Sequence, residues 1–169
     1  MFYSSYYDSP LGPIMLAADG DALIGLWFEG QKYFAASMHG EIVKKDLPVF
    51  TATKRWLDAY FSGKAPAITE LPLAPIGGEF RQAVWAALCE IPYGTVCTYG
   101  DIAQKVAVRL NKSGMLSRAV GVAVGHNPIS LIIPCHRVIG AGGKLTGYAG
   151  GIDKKLALLK LEGIDLSGK

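Results

Sequence analysis

Cysteine and histidine are scarce in this chain. Of its 169 residues only three are cysteines, at positions 89, 97 and 135, and three are histidines, at 39, 126 and 136. Three cysteines cannot all pair, and their spacing matches no disulfide framework, which points to a reducing compartment with at least one free thiol. The scattered histidines, with no CxxC or HxxxH spacing, exclude the common metal sites, and neither a metal nor a cofactor is expected. No apolar run reaches the ~18 residues that span a bilayer. The opening MFYSSYYDSPLG lacks a basic stretch followed by an apolar one, so no secretory signal is read there. A cytoplasmic protein without a membrane partner is the expectation. Charge is sparse too. With 18% charged residues and a net charge of +3, the surplus is too small to mark a nucleic-acid binder by itself.

What the chain has in quantity is apolar surface, half of all residues, enough for one sizeable core or two small domains. Gly12–Ala18 and Ala22–Phe28 read as antiparallel strands around the turn Asp19-Gly20-Asp21. Val49–Ser62 reads as a helix, with Phe50, Trp56, Leu57, Tyr60 and Phe61 at helical spacing and Gly63 as its stop. KAPAITELPLAPIGG, rich in proline and glycine, reads as an interdomain linker. Beyond it the pattern turns helical. Glu79–Ile91 carries an apolar face, and Thr98 followed by Asp101 makes a capping arrangement for a second helix bearing Ile102, Val106 and Leu110. Arg118–Gly125 reads as a short helix capped by Ser117 and ended by Asn127-Pro128. Ser130–Ile133 has a strand-like composition, and a last helix is predicted with Asp153 as cap, Leu156 and Leu159 on its face and Gly163 at its end. The expected class is α+β: a small N-terminal antiparallel sheet with a helix, then a mostly helical part with a helix-turn-helix and an active-site loop.

The helix RAVGVAVG is unusual for its small side chains. Glycine inside a helix destabilises it by roughly 1 kcal/mol relative to alanine, so something should compensate. Close packing against a core is one explanation, and on spacing alone the preferred one. Close approach of bare backbone to DNA, with Arg118 as the one long probe, is the other.

Cys135 stands out among the thiols. It lies between Pro134 and His136-Arg137, after an apolar run and before a glycine-rich loop. A free thiol titrates near ~8.5 and the thiolate is the nucleophile, so a reactive cysteine needs a base or a positive environment. His136 and Arg137 supply both kinds of group. Sequence neighbours need not touch, and a bridging water would connect Cys135 to His136. Glu162, at the end of the last helix, is the candidate to orient the imidazole.

IIPCHRVIG resembles the active-site signature of the O6-alkylguanine-DNA alkyltransferases, the methylated-DNA–protein-cysteine methyltransferases. GGEFRQAVWAALCEIPYGTVCTYGDIA, SRAVGVAVGHNP and LTGYAGGIDKKLALLKLEG are similar to other segments of that family, in the same order. SPLGPIMLAADGDALIGLWFEG is similar to its more variable N-terminal domain. The resemblance implies a ribonuclease-H-like domain with linker over residues 1–75 and a DNA-binding alkyltransferase domain over 76–169. It implies that Cys135 accepts the alkyl group, activated through water by His136, which Glu162 orients. Asn127 would hold the helix-turn-helix against the active site, Tyr148 would sit near guanine N3, and Val138 with Tyr148, Ala149 and Gly150 would line the pocket. Tyr99 would press on the target phosphate. Ser117, Arg118, Ala119 and Gly121 would face the minor groove of double-stranded DNA containing O6-alkylguanine, with Arg118 filling the space the flipped base leaves. A monomer, consumed once per lesion, is expected. The connection Ala107–Leu116 is longer than in compact family members, which predicts a rebuilt turn. Two rival readings are a cysteine protease, which would require a remote histidine and an oxyanion hole, and a module that binds alkylated DNA without reacting.

Overall fold

A computed structural model describes residues 1–114 and 117–166. The α+β expectation holds. Strands β1 (Phe2–Ser9), β2 (Gly12–Ala18) and β3 (Leu23–Phe28) form an antiparallel meander. A three-residue strand, β4 (Ile42–Lys44), adds to the free edge of β1 in parallel, giving a mixed sheet of order β3-β2-β1-β4. The Asp19 carboxylate accepts the backbone N–H of Asp21 and Ala22 and so shapes the β2–β3 turn. Every residue of β3 is buried, so this strand is covered on both faces and reads as a continuous apolar run instead of an alternation. Trp27 lies flat over Gly25; a Cβ there would fall 2.0 Å from the indole ring, which fixes glycine at that position.

Helix α1 (Pro48–Phe61) packs against β1 and β2. Phe50, Trp56, Leu57 and Tyr60 are buried as their spacing predicts, while Phe61 is half-buried. Gly63, at φ 91°, ends the helix in a conformation that favours glycine. The proline-rich stretch after α1 is more than a linker. Its Leu73 region runs alongside the start of β3: Leu23 N–H donates to the Pro72 carbonyl, and Ala74 N–H returns to Leu23 O, both at 2.8 Å.

Residues Met1–Ile76 and Pro128–Ile132 make one compact unit; Gly77–Asn127 and the chain from Ile133 onward make the other. The strand expected at Ser130–Ile133 does not form. Ile129 makes a single bridge to Leu26, after which Leu131 adopts φ 71° and Ile132 N–H closes a tight turn on Ser130 O. A positive φ at a leucine interrupts any extended run.

The second unit holds α2 (Glu79–Leu88), α3 (Tyr99–Arg109), α4 (Ser117–Gly125) and α5 (Ile152–Leu161), with a minimal parallel pair of β5 (Cys97–Thr98) and β6 (Val138–Ile139). Thr98 and Asp101 form the predicted capping box at α3, each side chain bonded to the other's backbone N–H. Two caps differ from expectation. Ser117 is the first residue of α4 instead of preceding it, and Asp153 lies in the first turn of α5, with Gly151 at the cap. Ala107 and Val108 remain helical, so the connection to α4 begins after Arg109; Met115 and Leu116, on which the expectation of a rebuilt turn partly falls, lie outside the described residues. Trp85 on α2 donates its indole N–H to the Ala123 carbonyl of α4 at 2.9 Å, tying these two helices together.

Candidate active site

The segment after α4 positions Cys135. Asn127 follows the helix directly and donates from Nδ2 to the Ile133 carbonyl at 2.8 Å; Cys135 N–H bonds that same carbonyl from the other side, also at 2.8 Å. Asn127 also hydrogen-bonds the Cys135 thiol. Cys135, His136 and Arg137 form one 3₁₀ turn, followed at once by β6. This turn, and not an extended strand, sets the relative directions of the three side chains.

All three are buried, and so is Glu162 at the end of α5. His136 Nε2 lies 2.6 Å from Glu162 Oε2. Arg137 grips the same carboxylate with two nitrogens, Nε at 2.8 Å from Oε1 and Nη2 at 3.2 Å from Oε2, and Gly94 N–H adds a fourth bond at 3.1 Å. Arg137 Nη1 donates to the Ile91 carbonyl at 2.7 Å, and its guanidinium stacks over Tyr93. A carboxylate only accepts, so the imidazole proton resides on Nε2 and Nδ1 keeps its lone pair. Nδ1 is buried and bonds no group among the described residues. Burial holds His136 below the ordinary histidine range despite the opposing pull of Glu162, so the ring is neutral and basic at Nδ1.

The charge near Cys135 comes from a residue that the sequence reading passed over. Burial pushes the Cys135 thiol above its usual value; the Asn127 hydrogen bond and the Lys155 ammonium oppose that rise. Arg137 is committed to Glu162. Lys155 is wholly buried, donates from Nζ to Val138 O at 2.6 Å, and titrates at about 8 because burial disfavours its charge while Cys135 favours it. The sequence carried a signal for it, because Lys155, Leu158 and Leu159 share the buried face of α5. The expected apolar face forms as well: Leu159 is buried, and Leu156, half-buried, packs against the cluster of Ile139, Leu159 and Leu166.

Val138 is fully buried, while Tyr148, Ala149 and Gly150 are half-buried on a turn closed by Gly151 N–H to Tyr148 O at 2.9 Å. The Tyr148 hydroxyl oxygen is itself buried. Tyr99 opens α3, and its hydroxyl meets Thr146 Oγ1 at 3.0 Å. On α4, Ser117, Arg118, Ala119 and Val122 are exposed and Gly121 is half-buried, whereas Val120, Ala123 and Val124 face the core. The glycines of this helix are not there to let neighbours in. A Cβ on Gly121 would meet only the Tyr99 ring, at an ordinary 3.8 Å, and one on Gly125 would meet nothing within 4 Å. Cys89 and Cys97 are half-buried free thiols, and burial raises both. Among the described residues no metal-binding cluster exists, and no helix is long and apolar enough to cross a membrane.

The chain as a whole has counterparts among known proteins. The family model for the 6-O-methylguanine DNA methyltransferase DNA binding domain matches residues 79–164, and that for the ribonuclease-like domain of the same family matches residues 2–75. A methylated-DNA–protein-cysteine methyltransferase of Methanosarcina barkeri is 50% identical over 161 residues, 93% of this chain and 96% of its own length. One from Haemophilus influenzae is 42% identical over 163 residues, 96% of this chain and 87% of its own. A crystal structure of Mycobacterium tuberculosis OGT in complex with DNA superposes with a TM-score of 0.80 at 42% identity, over 95% of this chain and 91% of that one. With both domain models matched in order and relatives alike over nearly the full length, this chain belongs to the 6-O-methylguanine DNA methyltransferase family.

Proposed function

We propose that this protein repairs alkylated DNA by moving the alkyl group from O6 of a flipped-out guanine onto its own Cys135. The observation that carries the reading is the buried Cys135 thiol, set in one turn with a neutral His136 whose Nε2 is fixed by Glu162. Burial keeps the resting thiol protonated, so a base must remove its proton as the reaction proceeds. His136 Nδ1 has the lone pair to do so, directly or through one water. The Sγ–carbon bond forms as the carbon–O6 bond breaks; guanine leaves with the electron pair and takes up a proton to restore its lactam. The product is a thioether without a carbonyl for water to attack, so each molecule acts once.

The other residues serve delivery. An alkyl group on O6 is out of reach within the stack, and extruding the nucleotide costs a few kcal/mol. Tyr99 would press on the target phosphate, and Ser117, Arg118, Ala119 and Gly121 of α4 would enter the minor groove, Arg118 filling the gap left by the base. The exposure of Ser117, Arg118 and Ala119, and the absence of a packing reason for Gly121, support this reading over close packing of the helix. Asn127 would join α4 to the nucleophile, and Val138, Tyr148, Ala149 and Gly150 would line the pocket. The protein would act as a cytoplasmic monomer on double-stranded DNA, without a cofactor; O4-alkylthymine presents the same O-alkyl chemistry and is the second substrate to test.

Incubation with duplex DNA containing one O6-methylguanine, followed by intact-protein and peptide mass spectrometry, decides the matter. One methyl on the Cys135 peptide, with stoichiometric loss of activity, is expected. A methyl on Cys89 or Cys97, or turnover without modification, would sink the mechanism, and an unmodified protein that still binds the DNA would mark a non-reacting module.

A further inference from the structure

Gly140 has the packing reason that the glycines of α4 lack. A Cβ there would fall 3.0 Å from Thr146 Cγ2 and 3.1 Å from Lys144 Cβ, too close unless both side chains shift. Gly140 N–H donates to the Lys144 carbonyl at 2.8 Å, which folds the loop back on itself. Lys144 has extended backbone (φ −62°, ψ 130°), so it and Thr146, two residues on, stand side by side over the bare glycine. Thr146 is anchored from two directions: its hydroxyl meets that of Tyr99 at 3.0 Å and accepts from Lys155 Nζ at 3.1 Å. It thereby fixes Lys144 as a near neighbour of the Tyr99 hydroxyl. The Tyr99 ring in turn faces Gly121, 3.8 Å from where a Cβ would stand. The exposed residues of α4, Tyr99, Thr146 and Lys144 thus follow one another across one surface of this unit.

Lys144 is exposed and makes no ion pair among the described residues. Other cations of the unit are already engaged: Lys105 and Arg109 pair with Glu90, Arg137 pairs with Glu162, and Lys155 is buried. We propose that Lys144 is a contact to the DNA backbone, its ammonium neutralising a phosphate beside the Tyr99 hydroxyl. The proposal rests on the reading of Tyr99 and α4 as the surface that meets DNA, and adds a charge to it. A phenol hydroxyl hydrogen-bonds a phosphate without offsetting its charge, and Arg118 is assigned to the gap left by the base. An ammonium on a flexible four-carbon stem offsets the charge and releases a counterion. It also reads no sequence, which suits damage that occurs anywhere.

The test is a titration of undamaged duplex DNA at several salt concentrations. The slope of log affinity against log salt falls by about 0.9 for each phosphate neutralised. Lys144→Gln should make that slope shallower by about one and weaken binding about tenfold near 0.1 M salt. Lys144→Arg keeps the charge and should keep the parent slope. Lys64→Gln removes an exposed charge from the other unit and is the control for net charge alone; its slope should stay with the parent. An unchanged slope in Lys144→Gln, an equal change in Lys64→Gln, or an arginine variant that follows glutamine overturns the proposal. Thermal unfolding verifies each fold, and Lys144→Met gives the same readout if the glutamine variant does not fold. Undamaged DNA offers no alkyl group, so this measurement does not depend on transfer. A parent protein that binds duplex but takes no methyl from O6-methylguanine overturns the function, while the slopes still decide the phosphate contact. A parent that does not bind duplex overturns both.

Discussion

In the unit built from residues 1–76 and 128–132, the buried polar side chains among the described residues are Ser4, Ser5, Gln31, Thr53 and Ser130, all neutral. Gln31 Oε1 accepts Phe28 N–H at 2.8 Å and the Ser130 hydroxyl at 3.4 Å, and Thr53 Oγ1 donates to Val49 O at 2.7 Å within α1. In the other unit, Asn127 is joined by His136, Arg137, Lys155 and Glu162, each at most 6% exposed. Burying ions is expensive, and a buried ion pair is often no better for stability than apolar residues of the same volume. The first unit is therefore organised by apolar packing, whereas the second keeps charges in its interior around one thiol. That contrast places the chemistry without reference to any relative, because perturbed groups cluster where function requires them.

The contrast breaks most visibly at Glu162. Glu162→Ala leaves Arg137 buried without its counter-charge and His136 Nε2–H without an acceptor, which should destabilise by about 3–5 kcal/mol and abolish transfer. Thr53→Val in the first unit removes a hydroxyl whose acceptor is already used by the helix, and should cost about 1 kcal/mol or less. Urea unfolding midpoints of the two variants give the comparison directly; equal losses would show that the buried charges are no more critical than buried hydroxyls.

Lys155 sharpens the comparison through pH. Its folded value of about 8 lies below the ordinary 10.5, so between these limits the unfolded chain holds a proton that the native protein lacks. Stability from this group therefore grows as pH rises from about 8 to 10.5 and is absent below 8, by roughly 3 kcal/mol over the window. Cys135, whose value is raised, acts with the opposite sign: the native thiol keeps a proton that the unfolded one releases, and stability falls as pH rises past the ordinary thiol value. Chemical unfolding in a Cys135→Ser background removes that second contribution. There, stability relative to Lys155→Met should rise with alkaline pH, and a flat difference would mean that Lys155 titrates normally.

The elements that sequence patterning revealed are those in which local rules and tertiary context agree. The β2–β3 hairpin, α1 with its aromatic stripe, and the Thr98–Asp101 box each carry their own signal. What was not legible depends on distant partners. Ser130–Ile133 has strand-like residues, but Leu131 takes a positive φ that no local preference predicts. Lys155 looks like one of two surface lysines until α5 is oriented, and only the fold brings Val138 O and Thr146 to it. Arg137 reads as the charge that would activate Cys135, yet the return of the chain to Glu162 claims it. Cys135, the proposed acceptor, was legible as a candidate reactive thiol through the proline, histidine and arginine around it, and its acceptor role only through the family resemblance.

The smallest expected effect addresses α4, where spacing alone favours packing. Had Gly121 and Gly125 served close packing, a Cβ at either would collide; instead the nearest atoms to Gly121 are Tyr99 ring carbons at 3.8 Å, and Gly125 has open space. Gly121→Ala should then stabilise the helix by up to about 1 kcal/mol, because alanine loses less backbone entropy on folding. The same methyl thickens the surface proposed to enter the minor groove, so affinity for duplex DNA should fall while transfer from a free O6-alkylguanine base stays unchanged. Gly125→Ala, at the end of the helix, should share the gain in stability with less loss of affinity. Thermal unfolding and a DNA titration at fixed salt measure the two effects separately. Destabilisation by Gly121→Ala would restore the packing explanation, and stabilisation without loss of DNA affinity would remove Gly121 from the interface.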